Sequence, residues 1–495
     1  MRRRAFCTSA LSALTAASLP WQRAFAAAAS GADIPAIGIG GQQIVLKPSE
    51  ITDLRASLRG QLLVPGQEGY DTARRIWNGA FDRKPALIAR CAGAGDVTRA
   101  VTFARTHDLL VAVRGGGHSL SGQSVCDGGL MIDLSPMKGV RVDPLTKTAR
   151  VEPGVLLGQF DREAQAFGLA TTAGTVSHTG AAGLTLGGGF GRIGRKFGLA
   201  CDNLISADVV TADGRFVKAS ATENPDLLWA LRGGGGNFGI VTSFEYQLHK
   251  VDPLMYGGAL VFPFAKPREL LRSFADFIAG ASDDLNVDAT LVPPVGGHRA
   301  LVLDVCHSGT QAAAMKELAA LRKIAQPLQD ALQPTPYVTL QSSSDDSFPI
   351  GRGYYIKAGF VPGFTPRLID TVIDYLESAP YETGVIAFPH HGGAISRVKR
   401  DATAFWHREA QHTVMVTGFW DDASGAQPAT QWVRNGWKAI EPLTDGFYVN
   451  EIAQDDSERR VRGTYGENYT RLAALKKQYD PTNLFHLNAN IKPAA

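Results

Sequence analysis

The sequence reads as an α+β protein in two large parts with a returning tail, and three observations support that reading. Between residues 85 and 250, short apolar strands alternate with amphipathic helices. Glycine-rich segments at 114–124, 173–198 and 232–241 interrupt this first part. Beyond Leu248 the texture changes to aromatic and proline-containing strands mixed with helical stretches. A chain of 495 residues, 44% hydrophobic and 20% charged, has ample interior for two large domains.

Residues 31 to about 80 read as a glycine-rich leader with a short helix. The run PALIARCAG (85–93) predicts a strand, and AGDVTRAVTFARTHD (94–108) repeats its apolar positions at helical spacing. Strands follow at 109–113 and 129–135. A hairpin turns near Asp143 and Pro144, an amphipathic helix spans 156–169, and a second hairpin turns at Asp213–Gly214. In the second part, helices are expected over 311–324 and 366–378. A last helix in 466–485 must stop before Pro481.

Fifty Lys+Arg against 47 Asp+Glu leave a net charge of +3, which makes no case for nucleic-acid or anionic-membrane binding. No apolar run reaches the ~20 residues of a membrane span. The first 28 residues, with Arg2, Arg3 and Arg4 ahead of a mildly apolar stretch and AFA, predict a twin-arginine-like export signal. Export machinery would then be a partner, and the mature protein periplasmic or extracellular. Cys91, Cys126, Cys201 and Cys306 fit no metal spacing and are read as buried thiols. No metal site is expected: His390, His391, His407 and Arg408 match no zinc pattern and are read as packing or substrate-contact residues.

A run such as Gly115–Gly117 frees a loop to turn its amides to one side, a surface suited to a pyrophosphate, with Arg114 placed to add charge. Gly189, Gly191 and Gly194 also satisfy GxGxxG, with Asp213 about 20 residues on, the pattern of a nicotinamide-dinucleotide site. Its context is poor: HTGAAGLTL makes a weak strand and RKFGLACDN a short, broken helix.

The order of four motifs adds more. RGGGHSLSGQSVCDGGLMIDLS, AGTVSHTGAAGLTLGGGFGRIGRKFGLACDN, NPDLLWALRGGGGNFGIV and NYTRLAALKKQYDPTNLFHLNANIKP together resemble the berberine bridge enzyme-like flavoproteins, within the vanillyl-alcohol oxidase/p-cresol methylhydroxylase (PCMH) fold. The resemblance implies a two-subdomain PCMH-type FAD-binding domain over 80–252. It also implies a substrate domain over 253–455, an antiparallel sheet flanked by helices, and a berberine bridge enzyme-like segment over 456–495 that returns to the FAD domain. It implies FAD bonded through its 8α carbon to His118, the histidine behind the glycine run. Many relatives carry a second flavin bond from a cysteine where this chain has Val176, so a single link is expected.

Further flavin contacts implied by the resemblance are Arg114, Gly115, Gly116, Gly117, Ser119, Gln123 and Ser124 in the first segment. The second segment gives Gly174, Thr175, Thr179, Gly180, Gly183, Gly189 and Gly191. Gly239, Ile240 and Val241 follow in the third, and Asn488 and Asn490 in the tail. The implied reaction moves a hydride from a C–H beside O or N of a small alcohol, sugar or cyclic amine to the flavin. O2 or another acceptor then reoxidises it, and Thr179 leaves that choice open. Tyr465, just before the NYTRL helix, matches the base of alcohol-oxidising relatives. Tyr448, Tyr354, Tyr355 and Lys357 are the candidates to lower its pKa. The alternatives are a flavin-bearing binding protein without turnover and an NAD-dependent dehydrogenase.

Overall fold

The computed structural model describes residues 33–295, 298–378, 382 and 384–495. The export signal read at 1–28 lies outside the described residues.

Three parallel strands, Leu87–Arg90, Leu130–Asp133 and Val111–Arg114, form the first sheet, with Gln61–Leu63 antiparallel at its edge. The central Leu130–Asp133 is wholly buried, as the middle of a covered parallel sheet requires. Helix Ala94–Thr106 packs here through Val97, Ala100, Val101 and Ala104, the 3.6-residue stripe expected of it. The same core holds Ile34, Leu46, Ile51 and Leu54. The first subdomain therefore begins at the hairpin Ile34–Ile37/Gln43–Leu46, earlier than residue 80, and the supposed leader is part of its core.

A five-stranded antiparallel sheet makes the second subdomain, built around Leu204–Val210 and Ile240–Gln247. Helix Leu157–Gln165 buries Phe160 and Ala164 in its core. The glycine-rich segment 173–198 contains a helix, Ala181–Gly187, in place of the poor strand before the glycines. Only a four-residue helix, Gly194–Phe197, follows them. Neither half of a dinucleotide-binding strand–turn–helix exists there, so the NAD reading falls.

The second domain is an eight-stranded antiparallel sheet. Helices Pro267–Ile278, Gln311–Leu321, Pro366–Ser378 and Ala426–Ile440 bury their apolar stripes on one face. The other face, turned to the FAD-binding part, includes Tyr354, Ile356 and Phe360 and, paired with them in register, Phe419, Thr417 and Thr413. Phe360 sits in the core of the second subdomain while its neighbour Val361 sits under the helices, which fixes the alternation. Chain return begins before residue 456, because Phe447, Tyr448 and Val449 already belong to the second subdomain's core. Helices Glu458–Tyr465 and Asn468–Tyr479 follow, the latter ending ahead of Pro481 as expected.

Candidate active site

Strand Val111–Arg114 delivers the chain into the first glycine run. Gly117 has φ +73°, open to glycine at no steric cost, and a Cβ on Gly116 would strike the backbone of Gly180. The first and second glycine segments thus meet backbone to backbone. Within the second segment, Gly174 and Gly191 also meet backbone to backbone, in a parallel bridge. At these positions glycine serves chain-to-chain contact.

His118 emerges from this junction. Its ring stacks on Trp77 at 4.3 Å, and Trp77 stacks in turn on Tyr354 at 4.2 Å, so both domains build one aromatic wall. His178 lies tilted against His118 at 5.2 Å. Burial, assisted by His178, lowers the His118 pKa to about 3 and keeps its imidazole neutral. His118 Nε2 and both ring nitrogens of His178 are sealed from solvent without a hydrogen-bond partner. So are Ser121 Oγ, Ser124 Oγ, Asn488 Oδ1 and Asn490 Oδ1.

Buried polar atoms ordinarily find partners. Unpaired groups gathered along two glycine segments and the tail fit a polar ligand with its own donors and acceptors. Gln123, Asn488 and Asn490 line a cavity of about 410 Å³ beside Ile452, Ala453 and Gln454. Gln123 donates to the Asn488 carbonyl at 3.1 Å, joining the first segment to the tail. Asn237 pins that tail by donating to Ala489 O and accepting from the Ile491 amide.

Several expected contacts sit elsewhere. Arg114 turns under its own loop, donates to the Ala73 carbonyl and lies 3.9 Å from Asp133, while its Nε is left without a hydrogen-bond partner. Ser119 Oγ accepts the Gln123 amide and shapes the loop. Ile240 and Val241 bury their side chains in two different cores, leaving only backbone for a ligand. At Gly239 (φ +147°) a Cβ would strike Val209, and at Gly189 (φ +89°) Ala200, so both are required by packing. The Thr179 carbonyl accepts the Leu157 amide, and a Cβ on Gly183 would meet nothing. Gly115 packs against the Pro153 carbonyl, and nothing in the structure fixes a role for Thr175.

Tyr465 does not sit as a base should. It is buried, its hydroxyl donates to Ala489 O at 3.0 Å, and burial raises its pKa. Its neighbouring ring is Tyr469, and no cation lowers it. Tyr448 is equally committed: its hydroxyl accepts from the Gly189 amide and from Asn450 Nδ2 and donates to Leu184 O. Tyr354 bonds Pro349 O, Tyr355 bonds Asp455, and Lys357 pairs with Asp455 and Asp456, all away from Tyr465. Both tyrosines brace the site.

No group of His, Cys, Asp or Glu suited to a metal occurs among the described residues. His391 stacks on Phe190 and bonds Thr413, His390 stacks on His412, and Arg408 chelates Asp202. His407 tilts against Phe360 at 4.9 Å. Cys91, Cys126, Cys201 and Cys306 are free and buried, as read, and burial pushes the Cys126 thiol up to about 12. Trp77 and His178 were missed. His178 stood within a motif already singled out, whereas Trp77 carries no local signal.

Residues 85–220 match the FAD binding domain family and residues 447–492 the berberine and berberine-like family. The chain is 32% identical to (R)-6-hydroxynicotine oxidase of Paenarthrobacter nicotinovorans, over 88% of this chain and 97% of that one. It is 28% identical to xylooligosaccharide oxidase of Thermothelomyces thermophilus, over 86% and 90%. The solved 6-hydroxy-D-nicotine oxidase of Arthrobacter nicotinovorans superposes with a TM-score of 0.82 at 31% identity, covering 88% of this chain and 99% of the other. The protein belongs to the berberine bridge enzyme-like FAD-linked oxidoreductases. It is therefore an enzyme, and FAD is its cofactor.

Proposed function

We propose that this oxidoreductase carries FAD on one covalent link, through His118, and oxidises a small amine or alcohol at a C–H bond beside nitrogen or oxygen. The single observation that carries the reading is the buried, neutral His118 imidazole, whose Nε2 has no hydrogen-bond partner, at the meeting of the glycine segments. A neutral imidazole keeps a lone pair for bonding, where an imidazolium would have none. FAD supplies hydride acceptance when bound.

The chain's own groups do the rest. Trp77 holds the His118 ring by stacking, and Trp77 itself is fixed through its Nε1 bond to Phe348 O at 2.9 Å. Ser121, Ser124, Asn488 and Asn490 supply polar atoms to hold the cofactor. The inward face of the substrate sheet is mostly apolar: Ile356, Ala387, Met415 and Thr417 favour a compact substrate of low charge. Similarity to the 6-hydroxynicotine oxidase favours an amine over a sugar. O2 is the favoured acceptor, since both relatives are named oxidases. Export through Arg2–Arg4 fits a cofactor loaded before the folded protein leaves the cytoplasm.

Proteolysis of the purified protein tests the tether: one flavin-bearing peptide containing His118, with nothing from 173–180, is expected. Flavin released whole by denaturation would defeat it. Anaerobic bleaching by 6-hydroxynicotine ahead of xylobiose is the expected substrate order. Lysine at positions 2, 3 and 4 should strand a flavin-loaded protein in the cytoplasm, and unchanged secretion would argue for another route.

A further inference from the structure

With both tyrosines committed to backbone partners, the site needs another acceptor for the substrate proton. The inward face of strands Gly353–Val361, Gly384–Phe388 and His412–Trp420 supplies none. It carries Ile356, Ala358, Val385, Ala387, Met415 and Thr417, with Tyr354 bound to Pro349 O. Asp304, on a strand farther along, is ion-paired with Arg192, and Asp288 accepts the His390 amide.

Among the described residues, Asp161 is buried as well but accepts from Gln341, whereas Glu451 has a carboxylate oxygen left without a partner. The short turn Val449–Glu451 is wedged between helix Ala181–Gly187 and strand Gly353–Val361, where the flavin-binding part faces the substrate sheet. It is stapled on its flavin side. Asn450 Nδ2 donates to Gly183 O at 3.0 Å and to the Tyr448 hydroxyl at 2.6 Å, and that hydroxyl accepts the Gly189 amide. The next side chain, Glu451, places Oε2 out of solvent with no hydrogen-bond partner. A carboxyl held rigidly and left unbonded is costly unless a partner arrives.

We propose, resting on the flavoenzyme reading above, that Glu451 is the general base that takes the substrate's O–H or N–H proton. The C–H bond breaks as a hydride to the flavin and the heteroatom–H bond breaks with its proton passing to Glu451. A C=O or C=N bond forms, and the acceptor later removes the two electrons. Burial supports the role by pushing the Glu451 carboxyl up to about 8.

The charged and titratable groups around the turn are few. Arg460 faces it and favours the ionised form, but is ion-paired with Glu441 at 2.6 Å and donates to Ala358 O. Lys357 is neutralised by Asp455 and Asp456, and Tyr448 is bonded as described. Helix Ala181–Gly187 contributes no titratable side chain.

The test uses holoenzyme and whichever of 6-hydroxynicotine, xylobiose and glucose bleaches the flavin fastest without oxygen. Wild-type reduction should rise with pH through about 8 and level off. Glu451→Gln should keep its flavin, slow reduction ~10²–10⁴-fold and lose that inflection. It should also lose an infrared carboxylic-acid band that persists in wild type at pH 7. If Gln impairs folding, Glu451→Asp should keep the inflection at reduced rate. Reduction of Glu451→Gln within a few-fold of wild type, or an inflection erased by Asp288→Asn instead, overturns the role while the flavoenzyme reading stands. A wild-type protein without flavin, or one bleached by none of the three, overturns that reading and this role together.

Discussion

Two glycine-rich segments of similar composition, 114–124 and 187–198, end in opposite states. The first leaves polar atoms sealed and unpaired at His118, Ser121 and Ser124. In the second, the charged groups mostly find partners in the other domain, although Arg192 Nε is left without one. Arg195 donates to the carbonyls of Leu285, His391 and Ala281, Lys196 pairs with Asp284, and Arg192 with Asp304. Glycine count does not separate a ligand cradle from a domain joint; the fate of neighbouring polar atoms does.

The largest expected effect falls on the cradle. His118→Ala should abolish covalent flavin altogether while the protein still folds, at the modest cost of the lost stacking on Trp77. Flavin that stays attached to the denatured variant would break the contrast. Arg195→Met should do the reverse. Carbonyls left unpaired at a domain joint make a loss of about 3 kcal/mol reasonable, read by denaturant unfolding. Covalent flavin in the molecules that still fold should be unchanged, and a variant as stable as wild type would show the joint is held by other contacts.

A third expectation concerns acid. Near the joint, burial holds the His391 pKa well below the usual value, and that of His412 at about 3. A group with a depressed basic pKa refuses protons in the fold that the unfolded chain accepts. Its stabilising effect is complete above ~6.5 and fades as pH falls toward 3. Unfolding free energy should therefore drop below pH ~6.5, and His412→Asn should flatten that slope. An unchanged slope would place the acid sensitivity on carboxylates.

Local pattern explains why so much of the fold was legible. Helix Ala94–Thr106 and the strands beside it announced themselves by spacing, since one stripe or one run meets the core. Helix Ala181–Gly187 hid because its glycines and small residues mimic a loop, and the docked turn Val449–Glu451 holds it in place. In the site, His118 was legible from its motif. Glu451 was not, because within VNEIAQDD it looks like one surface acid among several. Its meaning lies in what fails to bond it.

Tyr465 carries the smallest expected effect and separates position in a motif from position in space. It precedes the tail helix, where a base was expected, yet its hydroxyl hydrogen is given to Ala489 O at 3.0 Å. Ala489 lies between Asn488 and Asn490, so the phenol holds the tail segment that presents both amides. Tyr465→Phe removes one neutral hydrogen bond and leaves the ring packed, at a cost of about 1 kcal/mol. Flavin reduction should stay within a few-fold of wild type, with a slightly easier release of the tail seen as faster hydrogen exchange at Ile491. A fall of ~10²-fold or more in reduction rate would restore the phenol as base and displace Glu451. Burial argues against that outcome, since it raises the phenol's pKa and so disfavours the phenolate a base would need.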